Sequence, residues 1–477
     1  MLIGRENEKK ILLDALEKDS SSFIALYGRR RIGKTDLVNT TYNNTFTFKH
    51  TGLYKRTKKE QLKQFALSLE KKGYKQKKNL QDWAEAFNAL ESIIEHSVDE
   101  KKVIFIDELS WMDTNKSDFM SSFEHFWNDF CFARKDVVLI VCSSATSWML
   151  NKVIHNKGGL YNRLSKQICL SQFTLAECKE FVEKNNLSLG NEQILQYYMI
   201  FGGVPFYWTF LIENRGMSVP QVVDKIQFSK DAELKEEFKY LFASIFDKPD
   251  GYIKIIEALG TKKVGMTRDE LMKATSLGNT GNFSDKLEEL ESCGFIRKYT
   301  PIGAIKKNSI YQLIDNYILF YYKFVCGNNS QDEHFWSNQI NTSVVNSWQG
   351  LAFERVCLLH VDQIKKKLNI LGVISENYSL VCKANADKGI SGSQIDLIIS
   401  RKDQVINMCE IKYYNADFTL DLEEAKRIRR RVNDLRIVSK TKYAIYPTLI
   451  TTNGLVKNSY SDEFYAVVTA EDLFERV

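Results

Sequence analysis

The octapeptide Gly28-Arg29-Arg30-Arg31-Ile32-Gly33-Lys34-Thr35 constrains this chain more than any other stretch. It fits the pattern Gly-x-x-x-x-Gly-Lys-[Ser/Thr]. An apolar run at 22–27 that reads as a buried strand precedes it, and a helical pattern follows. The glycines let successive backbone N–H groups curl around an anion, and the following helix adds its positive N-terminal end. In such a loop Lys34 reaches the β- and γ-phosphates of a triphosphate and the Thr35 hydroxyl binds Mg²⁺, while Arg29, Arg30, Arg31 and Ile32 complete the cradle. The expected cofactors are therefore ATP and Mg²⁺.

A second element completes this reading. The run Val103-Ile104-Phe105-Ile106 ends in Asp107-Glu108, which puts two carboxylates at the C-terminal edge of a buried strand. Asp107 is expected to hold the Mg²⁺ and Glu108 to orient the attacking water. A third apolar run at 137–142 ends in Ser143-Ser144. The Ser143 hydroxyl either senses the γ-phosphate or caps the next helix. Arg163, in Gly158-Gly159-Leu160-Tyr161-Asn162-Arg163, is either an arginine finger or a surface arginine. Near-continuous apolar runs alternating with helical patterns over 1–170 predict a parallel sheet with crossover helices.

These residues, with Ile3-Gly4-Arg5-Glu6 ahead of the first strand, Trp148-Met149 and Gly202-Gly203-Val204-Pro205, resemble the archaeal-type ATPases of the STAND branch of AAA+ proteins. The resemblance covers about 1–245. It implies that Gly4 and Arg5 lie near the adenine and that Pro205, on a helical lid over 171–247, packs against the nucleotide. Read on its own, Gly-Gly-Val-Pro ends one helix and starts another. In such families ATP more often switches conformation or assembly than drives fast turnover, and many relatives assemble on nucleotide binding.

Residues 248–325 read as helix, glycine-bearing turn (Ser276-Leu277-Gly278-Asn279-Thr280-Gly281-Asn282), helix and strand, which is winged helix-turn-helix architecture. Asn279, Asn282, Ser284 and Lys286 mark the second helix, but so do Asp285, Glu288, Glu289 and Glu291, which phosphates repel. A structural or protein-contact role is favoured over sequence-specific DNA reading. Lys262, Lys263, Lys298, Lys306 and Lys307 remain available for backbone contact. The basic run Lys55-Arg56-Thr57-Lys58-Lys59, continued by Lys63, Lys71-Lys72 and Lys77-Lys78, reads first as a solvated helix face and second as an anion-binding surface. The polar, weakly periodic stretch 326–341 reads as a linker.

Over 345–477 the pattern changes again. Gln394-Ile395-Asp396-Leu397-Ile398-Ile399 and Val405-Ile406-Asn407-Met408-Cys409-Glu410-Ile411-Lys412 read as a hairpin, with Glu410 and Lys412 on one face. Glu354 sits on an otherwise apolar helix upstream. Carboxylates converging with a lysine can hold Mg²⁺ and activate a water for phosphodiester hydrolysis. The spacing resembles the PD-(D/E)xK, restriction-endonuclease-like nucleases. That resemblance implies catalytic roles for Glu354, Asp396, Glu410 and Lys412, with Asp396 and Glu410 as metal ligands. Ile395 stands where proline or glycine is usual. The segment Leu422-Glu423-Glu424-Ala425-Lys426-Arg427-Ile428-Arg429-Arg430-Arg431 reads as a basic amphipathic helix able to lie along phosphates. Tyr413 and Tyr414 either stack on bases or join the core.

Composition narrows the classes. The 66 Lys+Arg against 60 Asp+Glu permit a nucleic-acid partner without demanding one. An N-terminus that turns charged at once is no signal peptide, no apolar run is long enough to span a membrane, and nine cysteines without a CxxC pair read as reduced thiols. A cytoplasmic α/β protein is expected: a P-loop NTPase parallel sheet with helical lid, a winged-helix module, and an α/β restriction-endonuclease-like C-terminal domain. The expected function is ATP-controlled, Mg²⁺-dependent cleavage or binding of nucleic acid, with DNA the expected partner and a nucleotide-dependent homo-oligomer as a further possibility. The resemblance suggests prokaryotic defence or a mobile element as context. The alternative is a signalling or assembly ATPase whose nuclease-like domain binds without cutting.

Overall fold

The computed structural model describes residues 2–75, 79–246, 248–278, 281–303 and 308–477. Lys77, Lys78, Asn279, Thr280, Lys306 and Lys307 lie outside the described residues. The chain divides into two compact units, Met1–Ser171 with Ser244–Asp247, and Gln172–Ala243 with Lys248–Val477.

The first unit is built on five parallel strands, β1 (Ser22–Tyr27), β2 (Phe48–Thr51), β3 (Lys102–Asp107), β4 (Val137–Ser143) and β5 (Lys166–Cys169), in the order β2-β3-β4-β1-β5. Alternation along β1 explains why its apolar run is continuous. Phe23 and Ala25 enter a core with Phe65, Trp83, Phe87 and Trp127 on one face, while Ile24 and Leu26 enter a second core with Leu12, Leu37 and Tyr42 on the other. A strand covered on both sides must be apolar at every position. Capping fixes the helices between strands: Thr57 and Glu60 form a reciprocal capping box on the helix Lys58–Glu70, and Asp82 caps Trp83–His96.

The second unit begins with the helices Leu175–Lys184, Asn191–Phe201 and Pro205–Glu213. Between the last two, Gly202 has φ 62° and a Cβ on Gly203 would lie 1.9 Å from the Phe173 carbonyl oxygen. Gly203 is therefore needed for close backbone approach, and Pro205 occupies the first turn of its helix, where a missing N–H costs nothing. Next, β6 (Met266–Thr267), β7 (Ile296–Tyr299) and β8 (Ile310–Leu313) form an antiparallel sheet in the order β6-β8-β7, preceded and interrupted by the helices Asp250–Gly260, Arg268–Thr275 and Gly281–Ser292.

The stretch 326–341 is not the linker its polarity suggests. It contains the helix Phe335–Gln339, whose Trp336 is 4% exposed and packs edge-on against Phe320, Phe324 and Trp348. The buried Asp224 carboxylate accepts from the backbone N–H groups of Trp336 and Ser337. One tryptophan and one distant acid outweigh the local polarity.

The chain ends in a mixed sheet, β9 (Ser375–Cys382), β10 (Ser393–Arg401), β11 (Val405–Lys412), β12 (Ala444–Thr451) and β13 (Ala466–Thr469), in the order β13-β12-β11-β10-β9. β10 runs antiparallel to both β9 and β11, whereas β11, β12 and β13 are parallel. The helix Leu422–Ser439 packs Ala425, Ile428 and Leu435 onto Ile398, Ile406 and Met408. The opposite face meets the helix Ser343–Leu359, where Phe353 touches Tyr413. Behind that helix, the fully buried His360 donates from Nδ1 to the Val356 carbonyl and accepts the Leu175 N–H at Nε2, joining the two ends of the unit. Among the described residues no helix is long and apolar enough to cross a membrane.

Candidate functional site

The phosphate loop leaves β1 at Gly28 and enters the helix Lys34–Thr41 at Gly33. Both glycines are required by geometry. At Gly28, φ is 137° and a Cβ would sit 2.4 Å from the Leu170 carbonyl oxygen; Gly33 has φ 85°. Arg31 also adopts a left-handed conformation, with φ 71°. Lys34 is 5% exposed, and its ammonium donates to the Gly28 and Arg29 carbonyl oxygens, each at 2.8 Å. Arg29 and Ile32 are buried, and Arg30 is half-buried.

Strand order brings the acids to this loop. β4 lies between β1 and β3, so the ends of β1, β4 and β3 follow one another along the same edge. Asp107 accepts the Thr35 hydroxyl at 2.7 Å through Oδ2 and the Glu108 N–H at 2.9 Å through Oδ1. A hydroxyl and a carboxylate held together are hard oxygen donors of the kind a small divalent cation takes alongside its waters. Glu108, with φ 49°, accepts the Ser144 N–H at 3.1 Å and the Ser144 hydroxyl at 2.8 Å. Burial raises its pKa; the Lys34 charge opposes this and the Asp107 charge adds to it.

Of the paired serines, Ser144 is the one that reaches the acid. Ser143 donates to Ser110 Oγ at 2.9 Å and accepts the Ala145 N–H at 3.1 Å. Two adjacent hydroxyls at a strand end carry no sign in the sequence of which one turns inward. Gly4 and Arg5 are both buried and left-handed, and Arg5 Nη2 donates to the Ser171 carbonyl at 2.6 Å. The Arg163 guanidinium stands 4.3 Å above the Phe132 ring. Pro205 belongs to the second unit.

The C-terminal acids fall into two groups. In the first, Glu354 is 7% exposed, accepts the Lys263 ammonium at 2.5 Å and lies beside Arg355. Burial foremost, then the nearby Asp396 charge, raises Glu354 to about 7, against the opposing pull of Lys263 and Arg355. Arg355 donates to the Leu313 and Lys263 carbonyls, so it engages the last residue of β8 and the segment just before β6. In the second, Glu410 shares the helix-covered face of Met408 and pairs with Arg431 and, at 3.1 Å, with Lys412; Lys412 also lies 3.7 Å from Glu424. Alternation on β11 is thus as the sequence reading expects.

The surroundings of these acids bear on the expected ion site. Among the described residues no group of three or more His, Cys, Asp or Glu side chains is placed to hold a metal ion. A register shift in the β9–β10 pairing between Ile395 and Ile398 interrupts alternation at Asp396, whose charge acts on Glu354. The cations Lys263 and Arg431 meanwhile neutralise Glu354 and Glu410. Much of the basic helix is likewise spent on neighbours, with Lys426 on Glu423, Arg427 on Glu424 and Arg429 on Glu463. Tyr414 packs on Phe418 and stays half exposed.

A parallel sheet carrying this loop at the end of β1 and the Asp-Glu pair at the end of β3 defines a P-loop NTPase domain. Residues 2–209 match the model of the ATPase domain predominantly from Archaea, and the protein is an ATPase. Over 371 residues it is 27% identical to an uncharacterized protein of Methanocaldococcus jannaschii, covering 77% of this chain and 78% of that one. Similar solved structures include the Walker-type ATPase of Pyrococcus abyssi, at 18% identity and TM-score 0.49, covering 68% of this chain and 96% of that one. The Aeropyrum pernix ORC2 protein in its ADPNP–ADP complexes is 13% identical with TM-score 0.41, covering 73% and 94%.

Proposed function

We propose that the protein is a Mg²⁺-dependent conformational ATPase whose C-terminal sheet domain engages a partner without cutting nucleic acid. The observation that carries this reading is the neutralisation of Glu354 by Lys263 and of Glu410 by Arg431. A metal-binding acid needs free lone pairs and a negative surround, and these two acids have cationic partners instead. At the loop, Lys34 holds the β- and γ-phosphates, Thr35 and Asp107 hold the ion, and Glu108 aligns the water. The ion supplies charge neutralisation when bound. The tie to Ser144 holds the Glu108 carboxylate at the end of β4 and fits slow turnover, in keeping with ATP used as a switch.

Glu108→Gln keeps the size of the side chain and removes its charge. ATP affinity is expected to stay within about twofold while steady-state phosphate release falls about 100-fold. Equal turnover in the variant, measured alongside a binding titration, removes Glu108 from the chemistry.

The cutting question has a direct test. Purified protein incubated with single- and double-stranded DNA and RNA, with and without ATP and Mg²⁺, is expected to leave all four substrates intact. A competing nuclease reading draws support from the salt bridge of Glu410 with Lys412 on β11 and from the Asp396 charge that acts on Glu354. Mg²⁺-dependent degradation that both Asp396→Ala and Lys412→Ala abolish establishes that reading and overturns ours. The middle module fits a winged helix whose acidic second helix contacts protein. A DNA partner, nucleotide-driven assembly and a defence context remain consequences of the family resemblance, addressed by the same incubation and by mass measurement with ATP.

A further inference from the structure

At the carboxyl ends of the three parallel strands of the second sheet lies a cavity of about 350 Å³ that the ATPase chemistry does not use. Ligands of α/β sheets gather at such strand ends because loops diverge there, and this volume suits a small molecule. Its wall is formed by Tyr413 and Tyr414 after β11, Thr452 and Asn453 after β12, Ala470 and Glu471 after β13, and Asn191, Glu192 and Leu195 from the helix Asn191–Phe201.

The lining has a definite chemistry. Leu195, Ala470 and Phe474 are buried and make an apolar part. Glu192 and Glu471 are exposed carboxylates, Asn191, Asn415 and Asn453 add carboxamides, and among the described residues no lysine or arginine lines the cavity, the Lys179 ammonium standing 6.0 Å from the centre of the Phe474 ring. Asn191 Nδ2 donates to both oxygens of Glu471 at 2.7 and 2.6 Å, which fixes that carboxylate at the rim and leaves its outer lone pairs to accept. Thr452 and Asn453 both donate to the Tyr414 carbonyl, and the Tyr414 N–H reaches Thr452 at 3.0 Å, so the two loops are tied together. Burial, with the Glu192 charge adding to it, pushes the Tyr413 phenol up to about 12. Two carboxylates, two tyrosine rings, an apolar part and no lining cation among the described residues disfavour phosphate and favour a positive head on a short aliphatic body.

We infer that this cavity binds a small organic cation, a free alkylguanidinium or alkylammonium compound, with the charged head between Glu192 and Glu471 and the aliphatic body against Leu195 and Phe474. The site is independent of the phosphate loop and of the C-terminal acids.

Calorimetric titration of the full chain with agmatine tests it, using butyramide as an uncharged probe and an arginine-containing tripeptide with blocked ends as a second cationic source. Saturable one-to-one binding of agmatine with Kd near or below about 1 mM is expected. Butyramide should give no heat, and Glu192→Gln combined with Glu471→Gln should weaken agmatine at least about tenfold. Both glutamates are exposed, so the double variant is expected to fold, and circular dichroism checks this. Absence of agmatine binding, equal binding in the double variant, or binding of butyramide as tight as agmatine overturns the proposal. Binding of the tripeptide alone overturns it too, by making the cavity a reader of protein side chains.

Discussion

Replacing Lys34 with methionine is expected to lower kcat/KM for ATP about a thousandfold and to weaken nucleotide binding at least about tenfold. The side chain is 5% exposed and its ammonium closes the loop on itself, donating to the Gly28 and Arg29 carbonyls. A triphosphate offers that ammonium a charged acceptor in place of two neutral ones, and charge-assisted hydrogen bonds are roughly twice as strong. The gain grows further as charge accumulates on the transferring oxygens, so turnover suffers more than binding. Methionine keeps the aliphatic packing but strands the two carbonyls, at a cost of about 1–3 kcal/mol in stability. Titration with a fluorescent ATP analogue and phosphate-release kinetics read the two effects, and a thermal melt separates them from unfolding. Unchanged affinity together with unchanged turnover removes the loop from nucleotide chemistry.

That site was legible because its chemistry is written in consecutive residues. Gly28, Gly33, Lys34 and Thr35 act within one turn of chain, and Asp107 announces itself by ending an apolar strand. Elsewhere the decisive partner is remote. Trp336 looks like one apolar residue in a polar stretch until Asp224, from a helix over a hundred positions earlier, accepts its N–H. Gly203 looks like a helix breaker, and its tight approach to Phe173 appears only when the chain folds back. That Ser144 rather than Ser143 reaches Glu108, a residue at the end of another strand, is settled only once β3 and β4 lie side by side.

The C-terminal domain shows a partial success of the same kind. Period-two alternation placed Glu410 and Lys412 together, and they are salt-bridged at 3.1 Å. Pattern alone does not reveal that Lys263, from a different module, reaches Glu354, nor that a register shift interrupts β10 at Asp396. A D…ExK spacing therefore reports two strands with compatible residues, while the neighbours decide what the carboxylates do. Here they are charge partners that tie the three-stranded sheet to the helix Ser343–Leu359.

Acidification from pH 7 to pH 4 is expected to destabilise the first unit through one buried histidine, His50, while in the second unit Glu354 offsets the loss that comes from His360. His50 is 2% exposed and packs on the Phe48 and Phe65 rings; its Nδ1 lies 3.0 Å from Ser68 Oγ, and its Nε2 has no hydrogen-bond partner among the described residues. Burial lowers its pKa to about 3. In the second unit, burial lowers His360 to about 4, only partly offset by its bond to Val356, and protonation at Nε2 would cost the bond from Leu175. Both groups ordinarily titrate near 6.5. Below that pH the unfolded chain takes up protons that the folded chain refuses, so stability falls as pH falls from 6.5 toward the folded values. Each histidine contributes about 3–5 kcal/mol over the full window. Glu354 runs the other way: its folded pKa, about 7, exceeds its ordinary 4.5, so its contribution is present below 4.5 and is lost as pH rises through 7. Within the second unit the two slopes oppose each other between about pH 4.5 and 6.5, which flattens its profile relative to the first. Glu354→Gln mimics the protonated acid and removes the opposing slope. The variant should be more stable than the parent at pH 7.5, match it near pH 4.5, and lose stability more steeply on acidification. Hydrogen exchange by peptide mass in graded urea, corrected for intrinsic exchange rates, resolves Phe48–Thr51 from Ser343–Leu359 and reads both slopes. A second unit whose acid slope is the same with and without Glu354 contradicts the assignment. So does a His360→Gln variant that keeps the parent slope.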